Sequence, residues 1–354
     1  MDRDPGIESL LARTVPEIAA EAGSSGIPEL AGICLGGGYG RGEGGVYRDS
    51  DGVPHLYNDL DFFVFTEAAS RRRRREIDLR LEPVAHRWTE ALGVDVDFGP
   101  AKNIGSLRRV ARTLMYQELK HGYWQVWGEK DVLASLPAIG AEELPSLEGA
   151  RLLLNRGMGL LLAAEHPSES PEDVNFILRN LNKAVLGSAD ALLIGARRYR
   201  YRVEERLAAF ETLATERGMT PEWPERYARA LEFKARPDSR VPEDWDAAWD
   251  AVRRFWCGSV AGIAGCPVES SPEDVIWALH RRSGLHGGRG IVNYLNWVRK
   301  TRVSGGAVRE WFDAPELRML YRLYRLLVVS GSARREIAEP GERRWLYEMW
   351  ESIN

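Results

Sequence analysis

Cysteine is scarce. Cys34, Cys257 and Cys266 are the three in a chain of 354 residues, too few and too scattered for a disulfide framework or a zinc knuckle. A reducing cytoplasm is the expected compartment. Long apolar runs are missing as well: nothing approaches the roughly 20 apolar residues of a membrane span. The first residues, MDRDPGIESLLARTVPEI, lack the apolar core of a signal peptide, so no membrane partner is expected. Neither sign of charge dominates. With 48 basic and 52 acidic residues the net charge is −4, and the whole chain makes no demand for a polyanionic partner. There is no G-x-x-x-x-G-K-[ST], which argues against a P-loop NTPase. The six histidines show no metal-ligand spacing, and no serine–histidine or cysteine–histidine pattern stands out.

What the chain does have is an N-terminal third of strand-like runs followed by a long helical remainder. "LAGICL" (30–35), "DLDFFVF" (59–65), "GVDVDFG" (93–99) and "YWQVWG" (123–128) are short and rich in aromatic or β-branched residues, which suits strands. Residues 67–92 carry apolar positions at helical spacing, with Pro83 as an expected kink. Residues 46–58 are polar and turn-rich and read as an exposed loop. After about residue 148, segments such as "DVNFILRNLNKAVLGSADALLIGARRY" and "PELRMLYRLYRLLVV" carry apolar faces of period 3.6. The expectation is an α+β protein: a small mixed-sheet domain over 1–147, then an all-helical domain over 148–354. The tryptophans are read as helix-packing core.

Chemistry concentrates in three places. The first strand feeds "GGGYGRGEGG" (36–45), a loop whose small residues and backbone N–H groups suit phosphate oxygens. Arg41 adds a possible charge-assisted contact. Second, Asp59 and Asp61 are two apart in a strand, hence on one face and separated by roughly 6.6 Å of rise. Two such anions repel unless a cation sits between them, and carboxylate oxygens suit Mg²⁺. Third, Asp95 and Asp97 alternate with Val94, Val96 and Phe98. If their strand lies beside the first, a third carboxylate joins the set. Three carboxylates on neighbouring strands suit two Mg²⁺ ions roughly 4 Å apart, an arrangement used for phosphoryl and nucleotidyl transfer.

These residues, "GG-Y-G-R-G-E", "N-D-L-D-F-F-V-F" and "V-D-F-G-P-A", resemble the DNA polymerase β-type nucleotidyltransferase superfamily over about residues 30–130. The resemblance implies a small mixed-sheet nucleotidyltransferase domain followed by a helical domain that closes the cleft. It implies transfer of NMP from an NTP, with ATP favoured, to a hydroxyl acceptor with release of pyrophosphate, and Mg²⁺ as the metal. Gly37 and Gly38 match the family's glycine pair, Asp59 and Asp61 its metal-binding pair, and Asp97 is preferred to Asp95 as the third carboxylate. Tyr39 and Arg41 belong to the expected nucleotide site. A lysine in the helical domain contacts the triphosphate in the family; Lys183 is the best match here, with a salt bridge to Asp190 as its structural alternative. Tyr199 and Tyr201 are weaker base-contact candidates. Glu43 departs from the family's usual Arg-Gly-Ser or Arg-Gly-Thr ending and would repel a triphosphate unless a metal, an amine or Arg41 engages it.

The near-neutral charge favours a small-molecule acceptor, with transfer to tRNA or protein, or a non-catalytic nucleotide-binding module, as the alternatives. The run "RRRRR" (71–75) reads as a solvated helix face, and "HRRSGLH" (280–286) as chance spacing. "GRGEGG" also fits G-x-G-x-x-G, but a long polar loop follows where a dinucleotide-binding fold needs a helix.

Overall fold

Asp4 caps the first helix, α1 (Pro5–Gly23), by accepting from the N–H groups of Gly6 and Ile7, with Pro5 in the first turn where its missing N–H costs nothing. The computed structural model describes residues 4–238, 240–267, 269–281, 314–330 and 340–353. Everything from Arg282 onward in "HRRSGLH" lies outside the described residues.

The chain divides into two compact units, and its class is α+β. The first unit comprises Met1–Glu143, Tyr201–Glu204 and Leu231–Asp238; the second comprises Leu144–Arg200, Glu205–Ala230 and Ser239–Asn354. The sequence places a single break after residue 147. In the structure it falls after Glu143, and two later segments return to the first unit.

In that unit, strands β1 (Leu30–Leu35), β4 (Leu60–Thr66), β5 (Val96–Asn103) and β6 (Trp124–Trp127) form one sheet in the order β5-β4-β1-β6. β1 is antiparallel to both β4 and β6, whereas β4 and β5 are parallel. The parallel pair needs a crossover, which helix α3 (Arg71–Leu92) supplies. Ser70 caps α3 by accepting from Arg73 N–H, and Gly93, with φ of 68°, ends it; the helix runs through Pro83.

Strand alternation builds a core on each face of the sheet. Leu60, Phe62 and Val64 join Ile33 and Leu35 against Val15 and Ile18 of α1 and Ile77 and Leu81 of α3. Phe63, Phe65 and Cys34 point the other way, onto Leu107, Leu119 and Leu133. Burying each such side chain contributes about 1.5–3 kcal/mol.

Residues 46–58 are not the open loop their polarity suggests. Val46–Arg48 (β2) and Pro54–Leu56 (β3) pair as a two-stranded hairpin. Its polar turn is held by Asp49, whose Oδ1 accepts from the N–H groups of Asp51 (3.0 Å) and Val53 (2.9 Å). Such side-chain-to-backbone bonds are how aspartate builds a turn.

The second unit is helical among its described residues. Its helices include Ser146–Glu165, Pro171–Gly195 and Trp245–Ala264. Trp249 and Trp256 are fully buried, and their indole N–H groups donate to the carbonyls of Leu160 (3.0 Å) and Leu153 (2.8 Å). These tryptophans are core, as their spacing suggests. Among the described residues, no helix is long and apolar enough to cross a membrane.

Candidate functional site

β4 and β5 are paired so that Asp61 stands opposite Asp97 and Phe62 opposite Phe98. Partners in a parallel ladder present side chains to the same face. The phenyl rings therefore stack at 5.1 Å on the core face, and both carboxylates take the other. Asp59 is two residues before Asp61 and shares its parity. Asp95 shares that of Asp97 and accepts the Leu60 N–H through its carbonyl at 2.8 Å.

Asp97 is exposed as a residue, yet protein crowds its carboxyl. That partial desolvation, then the negative charges of Asp59 and Asp95, raise its pKa above the ordinary aspartate value.

The glycine loop leaves the neighbouring strand at the same end of the sheet. Gly36 N–H donates to the Asp61 carbonyl at 2.9 Å. Gly37–Gly40 form a single helical turn, α2. Gly37 has φ of 59°, and a Cβ there would overlap Asp61 Oδ2; only glycine meets both conditions. The acidic strand and the glycine loop thus touch at Gly37 and Asp61.

Tyr39 belongs to the scaffold of this loop. It is buried, and its hydroxyl donates to the Gly45 carbonyl (2.7 Å) while accepting from Tyr57 N–H (2.9 Å) and Asn58 N–H (3.3 Å). One donor and two acceptor positions exhaust a hydroxyl, so Tyr39 has no hydrogen bond to offer a nucleotide through that group. Burial is the main reason its pKa is raised. Asn58 Oδ1 also receives Gly45 N–H at 2.6 Å. Loop and acidic strand are therefore stitched together on both sides of Asp59.

Glu43 is buried. Its Oε2 takes Arg41 Nε at 3.3 Å and Lys234 Nζ at 2.9 Å, and Arg41 Nη1 reaches Glu118 Oε2 at 3.4 Å. Lys234 stands on the last turn of the helix Glu222–Ala235, where Phe233 packs edge-on against Tyr57 at 6.0 Å. The carboxylate that looked misplaced in the glycine loop holds two cations next to it. Sequence reasoning missed Lys234 because 191 positions separate it from Glu43. The available signal was a lysine in a chain whose cations are mostly arginine.

A cavity of about 480 Å³ opens beside these residues, lined by Arg41, Gly42, Glu43, His121, Tyr201, Arg202 and Glu204, all in the first unit. None of the aspartates at positions 59, 61 and 97 lines it. The rings of His121 and Tyr201 stack at 3.9 Å.

Lys183 lies half-buried on the helix Pro171–Gly195 of the second unit. Asp190 of the same helix accepts from Tyr227 (2.8 Å) and Arg206 (3.3 Å), both in the second unit. Tyr199, also in that unit, is fully buried with the Arg206 guanidinium over its ring at 5.0 Å.

Do the carboxylates fit Mg²⁺? The donor chemistry does: hard oxygens share one face, and mutual repulsion at Asp97 is what a cation relieves. Among the described residues, however, no group of three or more His, Cys, Asp or Glu side chains converges on one point as a metal site. Compared with protein-family models, curated proteins and solved structures, the chain matches none of them. Function is therefore argued from its own residues.

Proposed function

We propose that the first unit transfers NMP from an NTP to the hydroxyl of a small-molecule acceptor and releases pyrophosphate. The observation that carries this reading is the contact of the two elements the chemistry needs: Asp61, in register with Asp97, has its Oδ2 against Gly37. The glycine loop and the acidic strand meet at one point.

In this reading the backbone of Gly37 and Gly38 receives the phosphates. Arg41 and Lys234, both oriented by Glu43, supply positive charge beside the loop and stabilise the leaving pyrophosphate. Asp59, Asp61 and Asp97, which do not converge on one point in this structure, would have to draw together to hold Mg²⁺, which would supply charge neutralisation at the phosphates and lower the acceptor hydroxyl's pKa. The acceptor oxygen bonds to the α-phosphorus as the bond to the bridging oxygen of pyrophosphate breaks. Asp97, in register with Asp61, is the carboxylate placed to take the hydroxyl proton. ATP is the favoured NTP.

A small acceptor is favoured over nucleic acid for a structural reason. In the arginine run at the start of α3, Arg72 pairs with Glu76, Arg73 with Glu29 and Glu76, and Arg74 donates to the Ala69 carbonyl. Arg73 and Arg74 are held by protein groups, and the three exposed members, Arg71, Arg72 and Arg75, point around the helix instead of forming one stripe.

The test is pyrophosphate release from each NTP with Mg²⁺ and a metabolite pool, with products read by mass spectrometry. The expected result is turnover that falls at least a hundredfold in Asp59→Asn and Asp61→Asn. Turnover that survives both substitutions sinks the proposal.

A further inference from the structure

The cavity beside Arg41 is built of unlike parts: two arginines, two glutamates, and the stacked rings of His121 and Tyr201. At about 480 Å³ it falls within the size of small-molecule pockets. Its lining is predominantly polar, which excludes an apolar occupant.

The charges in it are not equivalent. Glu43 is already engaged by Arg41 and Lys234, and Arg41 is shared with Glu118. Among the described residues, no ion pair holds Arg202, which is exposed at the cavity. Glu204, the cavity's other carboxylate, has interactions of its own, so Arg202 is the cavity charge an occupant's anion can meet, and a guanidinium takes carboxylate or phosphate oxygens in a bidentate fork. Glu43 and Glu204 are hydrogen-bond acceptors, which suit hydroxyl donors. The two rings offer apolar carbon surface against which a saturated ring's C–H groups can lie.

We infer that this cavity binds an acidic sugar, a polyhydroxylated ring carrying one carboxylate or phosphate, with Arg202 on the anion, Glu43 and Glu204 on hydroxyls, and the His121–Tyr201 pair against the ring. The binding does not rest on the nucleotidyl-transfer reading; the cavity shares Arg41, Gly42 and Glu43 with the glycine loop.

The experiment measures equilibrium binding by titration calorimetry on the full chain without NTP. The probes are glucose 6-phosphate, glucuronate, glucose and glucosamine, and the two acidic probes separate phosphate from carboxylate. At least one of them binds tenfold or more tighter than glucose and glucosamine. Arg202→Ala removes that preference, Arg202→Lys keeps part of it, and thermal melting shows all three proteins folded. Neutral or amino sugars binding as tightly as the acidic ones, no probe binding at all, or an acidic preference that survives Arg202→Ala overturns the inference.

Titration with Mg²⁺ and a non-hydrolysable ATP analogue distinguishes the two ideas. Analogue binding is unchanged in Arg202→Ala. Acidic-sugar binding without analogue binding upholds the cavity and removes the transferase.

Discussion

Glu43 and Lys234 meet at 2.9 Å, the carboxylate nearly sealed from solvent and the ammonium about one-fifth exposed. The pair closes a chain of charges running from Lys234 through Glu43 and Arg41 to Glu118. A charge-assisted bond of this kind contributes about 1.5–3 kcal/mol. Arg41 remains to compensate Glu43 when Lys234 is removed, so Lys234→Met is expected to cost about 1–2 kcal/mol in urea denaturation. Glu43→Gln costs more, because it takes the carboxylate from Lys234 and leaves Arg41 to its pair with Glu118. A double-mutant cycle between positions 43 and 234 should return a coupling above about 0.5 kcal/mol; additive costs would show that the two do not interact.

Tyr39→Phe removes one hydroxyl, takes the partner from Asn58 N–H, and leaves Tyr57 N–H and the Gly45 carbonyl with their mutual 3.2 Å bond. The expected loss is about 1–3 kcal/mol. On the transferase reading, turnover falls with it because Asp59 follows Asn58 directly. Chemical denaturation and pyrophosphate release on the same preparation check both parts.

Gly37 and Gly93 make a matched pair, with φ of 59° and 68°. A Cβ at Gly93 meets nothing within 4 Å, whereas one at Gly37 overlaps Asp61. Gly93→Ala should cost only the backbone strain, about 1 kcal/mol, and leave turnover intact. Gly37→Ala should displace the Asp61 carboxylate and abolish turnover. Equal effects of the two on activity would remove Gly37 from the site.

Asp97 has a pKa raised in the folded chain, by burial first and then by Asp59 and Asp95. Its protonated form is thus the one folding favours. Relative stability from this group is complete below the ordinary value of 3.8 and is lost as pH rises through the raised folded value. Asp97→Asn is expected to raise the melting temperature at neutral pH, and the gain should shrink towards zero on acidification. Added Mg²⁺ should stabilise wild type more than the variant. Melting curves from acid to neutral pH, with and without Mg²⁺, read the effect directly; a variant less stable than wild type at neutral pH contradicts it.

In the second unit, Asp190 is buried with Arg206 and Tyr227. Removing one member of a buried ion pair leaves the other uncompensated, so Asp190→Ala should cost about 3–5 kcal/mol. The double variant Asp190→Leu/Arg206→Met should recover part of that loss. Failure of the double variant to improve on Asp190→Ala would place the cost elsewhere.

Much of the sheet was readable because its signal is local. Leu30–Leu35, Leu60–Thr66 and Trp124–Trp127 are compact runs of aromatic and branched residues, and the same alternation put Asp61 opposite Asp97 across β4 and β5. The hairpin at Val46–Leu56 hid behind polar residues, since its turn depends on the Asp49 side chain rather than on apolar content. The helical turn at Gly37–Gly40 defied propensity, glycine being a poor helix former; contacts with Leu35, Asp61 and Gly44 impose it. Tyr39 looked like a ligand because nothing local reveals that its hydroxyl is used up by residues 45, 57 and 58. Lys234, Arg202 and Glu204 could not be placed at all, because only the folded chain brings them back to the first unit.

That return has a consequence for the order of synthesis. The glycine loop emerges from the ribosome with Glu43 but without Lys234, which follows 191 residues later. At about 5–20 residues per second the gap lasts roughly 10–40 s. During it the sheet can pair and the aspartates can take their places, while Glu43 has Arg41 as its cation and the segment bearing Arg202 and Glu204 is still to come. A nascent first unit therefore precedes its own completed site.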